Sequence, residues 1–189
     1  KLNSIPGYRE QFQAVFGSDA TIGAVGKAIA AFERTIVSGS APFDLYRMGD
    51  RSAMSPAAVR GMHLFNGKAH CLPCHSGPLF SDQGFHNIGV GMQKEKPDLG
   101  RFEHTKDPAD RGKFKVPTLR SIARTPPYLH DGSEATLLDV VEYYDRGGNP
   151  DPGLDPLMLP LHLSAREKSD LVAFLEALTG PVPVIEVPE

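Results

Sequence analysis

The pentapeptide CLPCH, residues 71–75, holds both cysteines of the chain and one of its seven histidines. Two thiols spaced by two residues, directly before a histidine, have three chemical uses. A redox disulfide needs the pair at a helix start within an α/β pattern, and no such pattern surrounds it. A structural zinc site needs further cysteines or a second clustered pair, and the chain has neither. Covalent attachment of a c-type haem needs only what is present. Cys71 and Cys74 would bond the haem vinyls, and His75 would reach the iron. The two-residue gap suits this use, because thioethers at that spacing fix the porphyrin against the backbone. Attachment of this kind implies a periplasmic or comparable extracytoplasmic compartment.

A second axial ligand can come from several side chains. Met92 lies in the polar loop GVGMQKEKP and Met158 in the apolar loop DPLMLPL. Methionine is the common ligand of electron-transfer haems, and also a common gap filler. The segment LLDVVEYYDR offers Tyr144, which shares a helical face with Leu137, Val140 and Val141. Tyr143 is rotated about 100° away, toward Asp139 and the polar flank. A tyrosine on an apolar face is more often a hydrogen-bonded core residue than a ligand, so periodicity alone leaves Tyr144, Met92 and Met158 open.

Helices must position these groups. Residues 6–16 place Tyr8, Phe12, Val15 and Phe16 at helical spacing, and Ile22, Val25, Ile29, Phe32 and Ile36 form a second apolar stripe. Ser55 before Pro56 starts a helix through Val59, Met62 and Leu64 or Phe65, with Gly67 as its stop. Thr136 caps a helix to about Arg146, ended by Gly147 and Gly148. Ser164 and Glu167 form a capping box before Leu171, Phe174, Leu175 and Leu178. The stretch 76–134 is rich in Gly, Pro and Asp, with at most a short helix near TLRSIA. No alternating pattern indicates strands. The fold class is mostly α, with long ordered loops.

The 189 residues are 40% hydrophobic and 23% charged, with 17 prolines and 19 glycines, a globular composition. A net charge of −3 gives no general attraction to nucleic acid or anionic lipid. No apolar run approaches the ~18 residues of a membrane span. The opening KLNSIPGYREQF has neither the apolar stretch nor the cleavage site of a signal peptide.

Three segments resemble the bacterial di-haem cytochrome c peroxidases and their MauG-like relatives: CLPCHSGPLFSDQGFHNIGV, the run from DLGRFEHTKDPADRGKFKVPTLRSIARTPPYLHDGS to VVEYYDRGG, and LSAREKSDLVAFLEALTG. The resemblance covers nearly the whole chain. It implies a cytochrome c-like haem domain and, for the whole family, two such domains with calcium between them. The distal ligand of the family lies fourteen residues beyond the histidine of HDG, and counting from His130 reaches Tyr144. Strict peroxidases carry Met there and MauG-like members Tyr, so the resemblance selects Tyr144, with Met158 as runner-up. It further implies that Thr125 and Pro127 offer backbone carbonyls to calcium. It places His130 near the domain interface, as a residue that tunes electron or proton transfer or as a structural histidine. Lys115 and Arg120 are plausible partners of haem propionates, and His86 a contact of the haem edge. His63, His70, His104 and His162 have no partner that the sequence identifies.

The chain departs from the family pattern in having one haem motif and no tryptophan. Residues 1–50 look like a helical remnant of the N-terminal haem domain, and 51–189 like the C-terminal haem domain. The expected function is the electron-transfer portion of a di-haem peroxidase-type oxidoreductase using hydrogen peroxide, with the peroxide-binding haem outside this chain. The alternative is a stand-alone mono-haem electron carrier. Expected partners are an N-terminal haem fragment or second chain, and an electron-donor protein or oxidised substrate. A homodimer is left open, and neither nucleic acid nor membrane is expected.

Overall fold

The computed structural model describes residues 1–182. Its chain forms two compact units, Lys1–Val37 and Ser38–Pro181, with Val182 assigned to the first. The division therefore falls before residue 50, where the sequence placed it. Residues 38–50 pack in the second unit because Phe43 inserts its ring among Phe80 and Phe174, at centroid distances of 5.1 and 5.9 Å. The last residues of the expected second domain, 183–189, lie outside the described part.

In the first unit α1 (Pro6–Phe16) ends at Gly17 in the left-handed region, and α2 (Ile22–Glu33) starts from Thr21, whose hydroxyl accepts from Ala24 N. Asn3 bonds Ala20 through both its amide oxygen and its nitrogen, and Asp19 accepts from Arg9 and Gln13. The stripe predicted on α2 is real as a pattern, yet little of it is covered. Ile22, Ile29 and Phe32 are 95%, 53% and 52% exposed, and Ile36 falls beyond the helix end.

The second unit holds α3 (Pro42–Arg47), α4 (Pro56–Asn66), β1 (Phe85–His86), α5 (Phe102–Thr105), β2 (Phe114–Lys115), α6 (Leu137–Asp145) and α7 (Ala165–Glu176). The three long helices start where the sequence indicates. Ser55, Thr136 and Ser164 accept from the N–H three residues on, with reciprocal carboxylates from Asp139 and Glu167 in the last two. Helices α4 and α7 cross at Gly61, where a Cβ would strike the carbonyl of Asp170. Close approach lets Phe65 and Phe174 meet edge to face at 5.1 Å. Beside the crossing, Arg60 donates two hydrogen bonds, of 2.8 and 2.7 Å, to the buried Asp170 carboxylate. Lys168 joins α7 to α6 through Glu142 and Asp145.

The Gly- and Pro-rich stretch is ordered by loops. It contains a 3-10 turn at Ile122–Arg124, overlapping the end of TLRSIA, and also α5 and the antiparallel pair β1–β2, which the sequence pattern does not reveal. Strands of two residues are too short to carry an alternation.

Candidate functional site

Beneath the α4–α7 crossing the second unit encloses a cavity of 430 Å³ with predominantly apolar walls. That volume lies in the range of cofactor pockets, roughly 300–1,000 Å³. One wall is built by the chain leaving α4. Cys71 N donates to Phe65 O and His75 N to Cys71 O, closing a turn that sets Cys71, Cys74 and His75 along the same cavity. The His75 ring is oriented by a hydrogen bond of 2.9 Å between Nδ1 and the carbonyl of Phe80. Phe80 belongs to the aromatic cluster, so this carbonyl is held rigidly. With the proton on Nδ1, Nε2 keeps its lone pair. Burial lowers the pKa of His75, favouring that neutral form.

Both thiols are free, and burial pushes Cys71 up to about 12 and Cys74 to about 11. Negative charge nearby adds to the shift: Cys74 acts on Cys71, and Asp155 and Asp82 act on Cys74. A redox-active pair works through a thiolate of depressed pKa, the opposite of the direction burial gives here. This pair is arranged to stay protonated.

Helix α6 supplies another wall. Leu137, Val140, Val141 and Tyr144 all line the cavity, as their common helical face predicts. Burial raises the Tyr144 pKa, and its hydroxyl has no hydrogen-bond partner among the described residues. Met158 lines the same cavity, whereas Met92 does not; its sulfur packs at Gly112.

Residues 1–52 match the family model described as di-haem cytochrome c peroxidase. The whole chain is 45% identical, over 193 aligned positions, to the methylamine utilization protein MauG of Methylorubrum extorquens, covering 54% of that protein. It is 40% identical to the cytochrome-c peroxidase IdrP1 of Denitromonas iodatirespirans, over 98% of this chain and 57% of that one. Among solved structures, a MauG-like protein associated with microbial copper homeostasis superposes with a TM-score of 0.73 at 34% identity, covering 86% of this chain and 58% of that one. The chain belongs to the di-haem cytochrome c peroxidase and MauG-like family. It spans about half the length of the curated relatives it matches. The cofactor class of the family is haem c.

The cavity fits that cofactor by its donor set: two free thiols, an imidazole with its Nε2 open, a phenol with no hydrogen-bond partner among the described residues, and an apolar lining. The remaining residues singled out in the sequence divide. Lys115, His86, Thr125, Pro127 and His130 reach the cavity. Arg120 does not line it. Its Nη1 donates at 2.7 Å to both carboxylate oxygens of Asp44, and its Nε donates to Pro78 O, so it secures α3 instead of facing a propionate. His130 stacks on Phe114 at 3.6 Å, and burial lowers its pKa.

Three features of this site escaped the sequence. Tyr143, placed on a polar flank by periodicity, is 1% exposed; its hydroxyl donates to Ile88 O at 2.7 Å and accepts from Asn149 N. The loops at 87–90 and 147–149 cover that flank, and helical periodicity is blind to loops. His70 also lines the cavity, a consequence of standing beside Cys71. Finally, His86 lies between Asp155, at 2.7 Å from Nδ1, and Asp82, at 3.1 Å from Nε2. Asp155 is 69 residues from His86, and no local signal links them.

Proposed function

We propose that this chain is the electron-transfer portion of a di-haem peroxidase-type oxidoreductase and carries one haem c in its cavity. The observation that carries this reading is the meeting of Cys71, Cys74, His75 and Tyr144 on one apolar cavity. Cys71 and Cys74 would hold the haem as thioethers, with His75 Nε2 and the Tyr144 oxygen as iron ligands and Lys115 the cation for a propionate. Bound there, haem supplies a site that stores and passes single electrons. The hydrogen bond from His75 Nδ1 to Phe80 fixes the imidazole in its ligating tautomer. Burial favours the protonated Tyr144 phenol in the free pocket, and as a ligand to ferric iron it would be held as the phenolate. A phenolate is a hard anionic donor and lowers the reduction potential, opposite to a methionine.

Hydrogen peroxide would react at a second haem outside this chain, on an N-terminal fragment or second chain. The apolar residues left open on α2 support such a partner. Calcium fits the loop before Tyr128, where the carbonyls of Thr125 and Pro127 accept no hydrogen bond among the described residues. Covalent haem attachment would call for a periplasmic or comparable extracytoplasmic compartment. No described helix is long and apolar enough to cross a membrane. The single haem motif also suits the alternative, a stand-alone mono-haem carrier.

Intact mass and haem-stained denaturing gels of the purified assembly separate the two. A haem on this chain and another on a partner, with peroxide consumption by the assembly, supports the oxidoreductase. One haem band and no peroxide consumption supports the carrier. A chain whose mass carries no haem overturns both.

A further inference from the structure

Tyr144 and Met158, the two residues read as candidates for the second iron ligand that reach the cavity, line it together, so something must decide between them. Methionine has three rotatable bonds and adapts readily. Left loose, Met158 would compete. Its terminal methyl instead packs against Gly148, 2.9 Å from where a Cβ would stand, at a position whose φ of 76° suits only glycine well. The turn carrying it is pinned at Asp155. Met158 N donates to the Asp155 carbonyl and Leu157 N to its Oδ1, each at 2.9 Å, and Asp155 N donates to Asn87 O at 2.8 Å.

The other carboxylate oxygen of Asp155 meets His86, which in turn meets Asp82. Ionised carboxylates only accept, and a neutral imidazole has a single N–H. The two contacts hold together when His86 is the doubly protonated cation. Charge-assisted bonds of this kind are about twice as strong as neutral ones. Asp82 N donates at 2.8 Å to Cys74 O, so the chain of contacts runs from the haem-attachment turn to the Met158 turn. All three side chains are more than two-thirds buried.

We propose that Asp82, His86 and Asp155 form a clamp that holds Met158 against Gly148 and reserves the iron for Tyr144. His86 and Asp155 are then positioning residues that determine the ligand through the loop they fix. The inference rests on the reading of Tyr144 as the ligand.

The test is the ferric absorption spectrum of the haem-loaded protein, with haem per chain measured alongside. In Tyr144→Phe the wild-type spectrum is expected to change without gaining the far-red band of methionine-ligated haem. Adding Asp155→Ala or His86→Ala is expected to bring that band in, and a further Met158→Leu to abolish it. The His86 variant keeps the Asp155 turn, so it remains readable if Asp155→Ala loses haem. A band already at full strength in Tyr144→Phe, or its absence from both double variants, overturns the clamp. A Tyr144→Phe spectrum identical to wild type instead overturns the ligand reading beneath it.

Discussion

Tyr143 and Tyr144 sit on one helix and face different surroundings. Tyr144 lines the cavity, and its hydroxyl has no hydrogen-bond partner among the described residues. Tyr143 turns its edge to that ring, at 6.0 Å and 80°, and spends its hydroxyl between Ile88 O and Asn149 N. The guanidinium of Arg146 lies 4.7 Å above it. Removing the Tyr143 hydroxyl leaves a carbonyl and an N–H unpaired in a closed space, a loss of about 1 kcal/mol or somewhat more. Tyr143→Phe should therefore lower the urea midpoint while leaving the haem spectrum as in wild type. Tyr144→Phe should change the spectrum, and it removes no hydrogen bond found among the described residues. A Tyr143→Phe protein with an altered ligand spectrum would reverse the assignment of the two residues.

At the scale of elements, the α4–α7 crossing sets the cavity roof, because Phe65 on one helix and Leu171 and Leu175 on the other line it. Gly61→Ala gains helix propensity of about 1 kcal/mol. It also drives a methyl into the Asp170 carbonyl and the Phe174 Cβ. Backbone cannot rotate aside as a flexible side chain can, and overpacking costs typically 1–3 kcal/mol. The net expectation is a lower melting temperature and lower haem incorporation, read by calorimetry and haem per chain. The start of α7 adds a pH-dependent contribution. Lys68 beside Glu167, with the Ser164 amide and hydroxyl, holds that carboxyl down to about 2 from an ordinary 4.5. Its contribution is present above pH 4.5 and is lost as pH falls toward 2. Glu167→Gln should thus be less stable than wild type at neutral pH, with the gap closing across that window in urea titrations at stepped pH. These helices were legible because capping is local: Ser55, Thr136 and Ser164 announce starts that the chain then makes. So was the Tyr144 face, read from about two turns of a helix. The Asp155–His86 contact, the cover over Tyr143 and the turn of Arg120 toward Asp44 were not, since each depends on segments brought together across dozens of residues. The apolar stripe on α2 shows the converse limit, for periodicity reports which face is apolar and says nothing of what covers it.

For the second unit as a whole, the cavity is the dominant energetic fact. Voids that cannot collapse cost about 24 cal/mol per Å³, so 430 Å³ would amount to at most about 10 kcal/mol. That is an upper bound, because water can enter at the mouth, yet it is comparable to the whole stability of a domain, about 5–15 kcal/mol. The walls come from α4, the 69–75 turn, the 112–130 loops, α6, the 155–163 loop and α7, so most of the unit leans on whatever fills it. A covalently held group would then act as its missing core. The Cys71→Ala/Cys74→Ala protein, purified without attached haem, should unfold at a markedly lower temperature and with a broader transition than the haem-loaded chain. Hydrogen exchange should show where. Amides of α6 and of residues 155–163, whose apolar faces look into the cavity, should lose protection first. The α4–α7 crossing should keep the most, because Phe43, Phe65, Phe80 and Phe174 pack on one another there and Arg60–Asp170 closes its flank. Equal protection throughout, with an unchanged melting temperature, would mean that the walls stand without their filling and that haem is a passenger in this fold.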